Sequence, residues 1–426
     1  MTPAGWILGA LLALGGGSAP GSPRVSRTGQ EPQGHRWGLE VPPMEAPTEL
    51  ARPAEKIWLT LKADLQAMGP FTLAKGPEAP PTFRASTRMA RGPEGRLTIH
   101  LHLVDLRTKA TLLKRAYPHA APASLAVAHR MADDLTERAT GLRGAAESRI
   151  TFALERGPGV KEIFDLDRSG EHLRQRTFFG SLTTSPTVAR DGRLAFITYK
   201  GGPPELWGQK APGAPPVRLY PVGRAAPHET LAAPAWSPSG TSIAFVKEDR
   251  HGHSDLYLLD LVKEHVRPLT AEREINTEPA WNPTGTALAF TSTREGQPHI
   301  YRLNLADGQV QRVSPADQAS TSPAWSPDGT SLAYSTRYLG HVEIAIQPLA
   351  GGAPHAIPAP GGSIETPVWS PDGRWVLFIQ GQGEGARLRL ADPLTGLSHP
   401  LGTVSGVSAP DWSRIPETNH PTPEVP

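Results

Sequence analysis

The sequence contains no cysteine. Disulfide frameworks, thiol nucleophiles, thiolate metal sites and a lipidated N-terminal cysteine are therefore excluded. A dominant charge is missing too. The 43 Lys and Arg face 41 Asp and Glu, for a net charge of +2 with no basic stripe or run, which argues against nucleic acid as a partner. No Gly-x-Ser-x-Gly elbow of a serine hydrolase occurs. PHETL (227–231) begins like a zinc helix, but Ala232 stands at the place of the second His and Pro234 follows. Long apolar runs are scarce as well. The run Trp6 to Leu14, inside MTPAGWILGALLALGGGSAPGSP, is too short for a permanent bilayer anchor and reads as the core of a secretory signal. Gly17 and Ala19 are small where a signal peptidase reads, so cleavage is expected after Ala19. Residues 1–19 are then a signal peptide and 20–37 a flexible, Pro-rich tail. The expectation is an exported soluble protein, at most peripheral to the membrane.

Proline (46) and glycine (43) are abundant, and the turns of a repeat account for them. SPAWSPDGTSLAYST (322–336) sets two short alternating runs about a Pro-Asp-Gly turn, the pattern of a hairpin. An isolated hairpin is marginal in water, so it needs neighbours. APAWSPSGTSIAFVK (233–247), EPAWNPTGTALAFTS (278–292) and TPVWSPDGRWVLFIQ (366–380) are copies, and SPTVARDGRLAFITY (185–199) is a decayed one. The first column reads Val188, Trp236, Trp281, Trp325, Trp369, Trp412, in steps of 48, 45, 44, 44 and 43 residues. A second column reads Phe152, Phe196, Phe245, Phe290, Tyr334, Phe378, and a third Phe164, Trp207, Tyr257, Tyr301, Ala345, Arg389. A period in the low forties with several short strands per copy predicts an all-β propeller of six blades. The array opens at RITFALE without a Trp strand and leaves at SAPDWS with nothing strand-like after it. Residues 408–413 should therefore supply the innermost strand of the blade whose other strands lie at about 149–177, closing the ring and pairing an exposed edge. The tryptophans are core residues on this reading. The propeller spans 148–413, and 414–426 is a disordered tail.

Ahead of the ring, PAEKIWLTLKADLQAM (53–68) places Ile57, Leu61, Leu65 and Met68 on one helical face, with Trp58 beside them. RLTIHLHLVDL (96–106) alternates Leu97, Ile99, Leu101 and Leu103 against His100 and His102. After a turn at 107–109, ATLLKRAY forms a second strand. ASLAVAHRMADDLTERATG (123–141) is a second amphipathic helix, through Leu125, Ala128, Met131 and Leu135, with Gly141 as its C-cap. Two helices on one face of a small mixed sheet make an α+β domain over 38–147.

Enzymatic sites are hard to assemble. His251, His253 and Asp255 in HGHSD could hold a metal, but a solvated hairpin loop is the plainer reading; His100 and His102 read as an exposed strand face. No cofactor is expected. The residues just before each innermost strand sit at one mouth of the ring: Thr184 with Ser185, Ala232 with Ala233, Thr277 with Glu278, Thr321 with Ser322, Glu365 with Thr366, and Ser408 with Ala409. Small and polar, with a few carboxylates, they suit an open funnel that docks a protein.

The order of export signal, small α+β domain and six-bladed ring resembles the TolB family, periplasmic components of the Tol-Pal envelope system. AHRMADDLTERATGLRGAAESRITFAL (128–154) is similar to that family's junction run, with Thr140 and Gly141 matching it and Ala139 and Ala146 departing from it. INTEPAWNPTG (275–285) resembles its third-blade segment. The resemblance covers roughly 38–413. It implies a non-enzymatic adaptor, expected as a monomer, that binds the peptidoglycan-associated lipoprotein Pal across the mouth. Ala233 and Thr277 match family contacts, with Glu278 adjacent. The family's contact His aligns near Thr230, with His228 two residues earlier. The mouth positions Ser322, Glu365 and Thr366 complete the expected surface. The resemblance also implies that the mature N-terminus adds as a strand to TolA, although PGSPRVSRTGQEPQGHRW (20–37) has three prolines and little alternation. A secreted propeller hydrolase or lactonase-like enzyme with a channel metal is the alternative, and a carbohydrate or peptidoglycan binder is a third reading.

Overall fold

The computed structural model describes residues 37–414, apart from 69–70, 74–80, 93–96, 120–125, 142–143, 169, 171, 222–228, 273, 339 and 359–361. The expected signal peptide, all of the tail except Trp37, and residues 415–426 lie outside the described residues. Two compact units meet in the chain at the Ser148–Arg149 step.

In the first unit β1 (Trp37–Glu40), α1 (Ala51–Met68), β2 (Phe71–Leu73), β3 (Phe83–Arg91), β4 (Leu97–Asp105), β5 (Thr111–His119) and α2 (Ala126–Thr140) follow in order. The sheet order is β2-β1-β3-β4-β5, with β1 parallel to both its neighbours and the β3–β4–β5 pairs antiparallel. Ile57, Leu61 and Leu65 of α1 and Ala128, Met131 and Leu135 of α2 are fully buried on the side chains of Ile99, Leu101 and Leu103. Gly141 has φ +74° and donates to the Glu137 carbonyl, ending α2 as its position suggested. The Asp64 carboxylate meets the His129 Nδ1 at 2.6 Å, tying α1 to α2. The strand β3, not foreseen from sequence, turns Phe83, Ala85, Thr87 and Met89 inward. Its small inward residues blur the alternation that marks β4.

The second unit is a ring of six four-stranded sheets. Their innermost strands are Thr183–Val188, Thr230–Trp236, Asn276–Trp281, Ser320–Trp325, Ile364–Trp369 and Val407–Arg414, defining blades 1 to 6. In blade 6 the last strand of the chain pairs beside Ser148–Gly157, which is followed by Val160–Asp167 and Arg174–Gln175. The Glu155 N–H donates to the Gly406 carbonyl at 3.2 Å, and Trp412 shares a buried cluster with Phe152. The ring is closed by its two ends.

The aromatic columns are cross-strand partners. Phe152 faces Phe164, Phe196 faces Trp207, Phe245 faces Tyr257, Phe290 faces Tyr301, Tyr334 faces Ala345 and Phe378 faces Arg389. The six members of the second column are completely buried. The tryptophans join blade to blade. Trp281 Nε1 donates to the Ala235 carbonyl at 3.0 Å, Trp325 to Ala280 at 3.1 Å and Trp369 to Ala324 at 3.2 Å. The turns join them again. Gly329 and Gly373 have φ +74° and +73°, and a Cβ at either would stand 3.5 Å from the Pro283 or Pro327 ring of the preceding blade. The hairpins of blades 3, 4 and 5 therefore pack on their predecessors both at the Trp and at the Pro.

Candidate functional site

The expected mouth pairs lie inside the innermost strands, a correction to their placement just before them. The second member of every pair is in the left-handed region: Ser185 at φ 50°, Ala233 at 45°, Glu278 at 56°, Ser322 at 55°, Thr366 at 54° and Ala409 at 49°. Each is followed by a proline: Pro186, Pro234, Pro279, Pro323, Pro367 and Pro410. At these points the pairing register slips, between Ala232 and Ala235, Thr277 and Ala280, Thr321 and Ala324, and Glu365 and Val368. A bulge costs a ladder bond, and proline has no N–H to give. Both are tolerated because the innermost strand has one unpaired edge, facing the channel. The result is a ring of six bulges around one opening. Sequence reasoning overlooked it, although the repeated X-Pro step three to two residues before each Trp was its signal.

The expected docking residues divide by exposure and contact. Thr230 opens the blade 2 strand, half-buried and paired with Glu248. Ala233 is half-buried. Thr277 is only 2% exposed, so its side chain supports the mouth from within instead of presenting a surface. Glu278 and Ser322 are brought together across the blade 3–blade 4 boundary. The Glu278 carboxylate accepts the Ser322 N–H at 2.7 Å and the Ser322 hydroxyl at 2.8 Å, and also the Thr291 hydroxyl at 2.7 Å. Thr366 takes an equivalent neighbour contact, donating its N–H to the Ser335 hydroxyl at 3.1 Å. Burial raises the Glu365 carboxyl above its usual range, and the Glu278 carboxylate adds to the effect. His228 lies outside the described residues.

Around this ring blade 3 carries a bonded polar rim. Arg294 donates to Glu272 at 3.0 Å and to the Asn276 side chain at 3.3 Å, and Asn276 donates to Asp255 at 3.2 Å. Asp255 also accepts the Thr270 hydroxyl at 2.7 Å, while His253 faces Asp249 at 3.4 Å and His251 is exposed. The three HGHSD side chains thus turn to separate partners. His100 is exposed on β4 and His102 meets the Thr111 hydroxyl at 3.1 Å. Chemically, the mouth is a polar rim with acidic side chains, suited to hydrogen-bonding another surface.

Two further residues were not singled out from sequence. Asp411 stands where the other blades have Thr187, Ala235, Ala280, Ala324 or Val368, and its carboxylate accepts the Val188 N–H. Glu162, 2% exposed, grips the connector between blades 6 and 1. Among the described residues no helix is long and apolar enough to cross a membrane.

Comparison with known proteins agrees with this architecture. The TolB beta propeller domain model (PD40) matches residues 136–416. The Tol-Pal system protein TolB of Anaeromyxobacter dehalogenans is 30% identical over 193 residues, 45% of this chain and 42% of that protein. A protein TolB homolog of Chlorobaculum tepidum is 32% identical over 166 residues, covering 39% and 36%. These alignments span less than half the length of the curated relatives. The crystal structure of TolB from Acinetobacter baumannii superposes with a TM-score of 0.73 at 22% identity, covering 89% of this chain and 96% of that one. The chain belongs to the TolB beta-propeller family.

Proposed function

We propose that this protein is a non-enzymatic, periplasmic adaptor of the Tol-Pal system, whose propeller mouth docks the lipoprotein Pal. Membership of the TolB family supports the system. The mouth itself supports docking over catalysis. Its ring of bulges presents polar side chains already bonded to one another, such as Glu278 with Ser322, and a surface fixed beforehand loses little freedom on binding. That ring is the observation on which the reading rests. Residues 1–19 direct export. The tail at 20–37 contacts TolA, and exchange of partners serves envelope integrity and constriction at division. Coupling between tail and mouth would act equally in both directions.

Titration calorimetry with the periplasmic domain of Pal tests the docking. Saturable binding to the intact chain is expected, weakened by Thr230→Arg or Thr366→Arg with the thermal melt retained. Heats indistinguishable from dilution would reject the proposal. Deleting residues 20–36 and measuring TolA affinity tests the tail separately. The buried Glu365 carboxyl, raised above its usual range, keeps one alternative in view, a hydrolase using a channel metal. Elemental analysis with a hydrolase screen separates the two.

A further inference from the structure

Six large apolar side chains are exposed on the described propeller: Leu173, Phe178, Val217, Val262, Leu394 and Leu397. Five lie at or beside the turns between third and fourth strands, at the end away from the mouth. Phe178 differs. It sits on the connector 176–182, which carries the chain from the outermost strand of blade 6 to the innermost strand of blade 1, at the end where the innermost strands begin. It is 76% exposed. A single exposed apolar side chain is ordinary on a protein surface; what sets Phe178 apart is its place beside the mouth and the way its loop is held.

The connector is built to hold Phe178 outward. The buried Glu162 carboxylate accepts the Thr177 hydroxyl at 2.5 Å and the Gly180 N–H at 2.6 Å, gripping the chain on both sides of Phe178 and Phe179. Thr177, 2% exposed, also accepts the Ile163 N–H at 2.8 Å. Phe179 turns inward, its ring 5.8 Å from Phe196 and 5.6 Å from Trp207, with the Lys200 ammonium 4.5 Å above it. One Phe anchors the loop, and the other is presented to solvent. The loop is also continuous with the mouth. Lys161 donates its N–H to the Ser181 carbonyl at 3.2 Å and its ammonium to the Ser408 hydroxyl at 3.1 Å, and Ser408 is one of the mouth pairs.

We infer that Phe178 is an aromatic anchor of the docking surface, inserting into an apolar depression on the protein seated at the mouth. The inference rests on the docking function proposed above and adds the residue that supplies its apolar contact. A connector already clamped on both sides of Phe178 loses little backbone freedom on docking, and a few buried aromatic anchors carry most of the energy of such interfaces.

Calorimetry with the Pal periplasmic domain compares the intact chain with Phe178→Ser, Phe178→Leu and, as a control at the far end, Val262→Ser. Phe178→Ser is expected to weaken binding by about tenfold or more with an unchanged melt. Phe178→Leu should lose less, and Val262→Ser should bind as the intact chain does. Equal affinity of Phe178→Ser and the intact chain overturns the anchor while leaving mouth docking in place. A Val262→Ser loss as large as that of Phe178→Ser also overturns it. No binding by the intact chain removes the docking function and the anchor with it.

Discussion

Asp411 Oδ2 accepts the backbone N–H of Val188 at 2.6 Å, across the seam where the last strand of the chain meets blade 1. At the seams between blades 2 and 3, 3 and 4, and 4 and 5, an indole N–H bonds a carbonyl of the preceding blade. Val188 has no indole, so that bond is impossible at blade 1. A carboxylate from blade 6 makes the link in its place. Between blades 1 and 2 a third solution appears: the Arg193 guanidinium lies 4.6 Å over the Trp236 ring and donates to the Gly240 carbonyl at 2.5 Å.

Burial raises the Asp411 carboxyl above its ordinary value of 3.8, against the pull of the Val188 and Trp412 N–H groups. The folded protein thus keeps this proton to higher pH than the unfolded chain does. The group's contribution to stability is full below the unfolded value and is lost as pH rises through the folded one. Asp411→Asn removes the buried charge and keeps an acceptor for Val188, so the neutral-pH melt should hold or rise and its dependence on acid pH should flatten. Asp411→Ala strands the Val188 N–H and should cost about 1–3 kcal/mol in denaturant titrations.

The indole links are separable from the bulk of the rings. Trp369 is 9% exposed and donates to Ala324. Trp369→Phe keeps most of the packing and should cost about 1–2 kcal/mol, through the lost bond and a small void. Trp369→Ala opens a cavity between blades 4 and 5 and should cost about 3–5 kcal/mol. A Trp369→Phe variant as stable as the intact chain would show that the indole bond contributes nothing.

Glu365 holds its proton above the ordinary value of 4.5, through burial first and the Glu278 carboxylate second. Glu278→Gln should bring the Glu365 titration down, read from its carboxyl carbon by NMR. The favourable term for Glu365 is again complete at low pH and disappears as pH rises through the raised value, so the variant should narrow that window. An unmoved titration would mean that the two acids do not sense each other.

The left-handed bulges make a further test. Ala233 at φ 45° bears a strain that glycine lacks, so Ala233→Gly should be neutral or stabilising by up to about 1 kcal/mol. Ala233→Val places a branched Cβ in the same conformation and should destabilise by about 1–3 kcal/mol in thermal melts.

The architecture was legible because a repeat states its rule six times. The Trp column, the Phe152-to-Phe378 column and their third-strand partners locate strands, register and closure, and they come from core positions that cannot vary freely. The helices of the first unit were equally plain from Ile57, Leu61 and Leu65. What was obscured came from residues whose role depends on neighbours distant in sequence. Asp411 looks like any acid until Val188 stands beside it. Glu162 reads as a strand residue until the 176–182 connector folds over it. The bulge geometry at Ala233 or Glu278 hides behind an ordinary X-Pro step. Thr277 looked presentable at the mouth and is buried, because a strand bulge turns its neighbour Glu278 outward in its stead.

Hydrogen–deuterium exchange of the intact chain, with and without the Pal periplasmic domain, tests mouth docking most directly. Protection should concentrate at the start of the innermost strands and in the connectors 176–182, 269–272 and 313–319. The turns around Gly240, Gly285, Gly329 and Gly373, at the opposite end of the ring, should exchange as before. Protection at those turns in place of the mouth, or none anywhere at saturating Pal, would contradict the account.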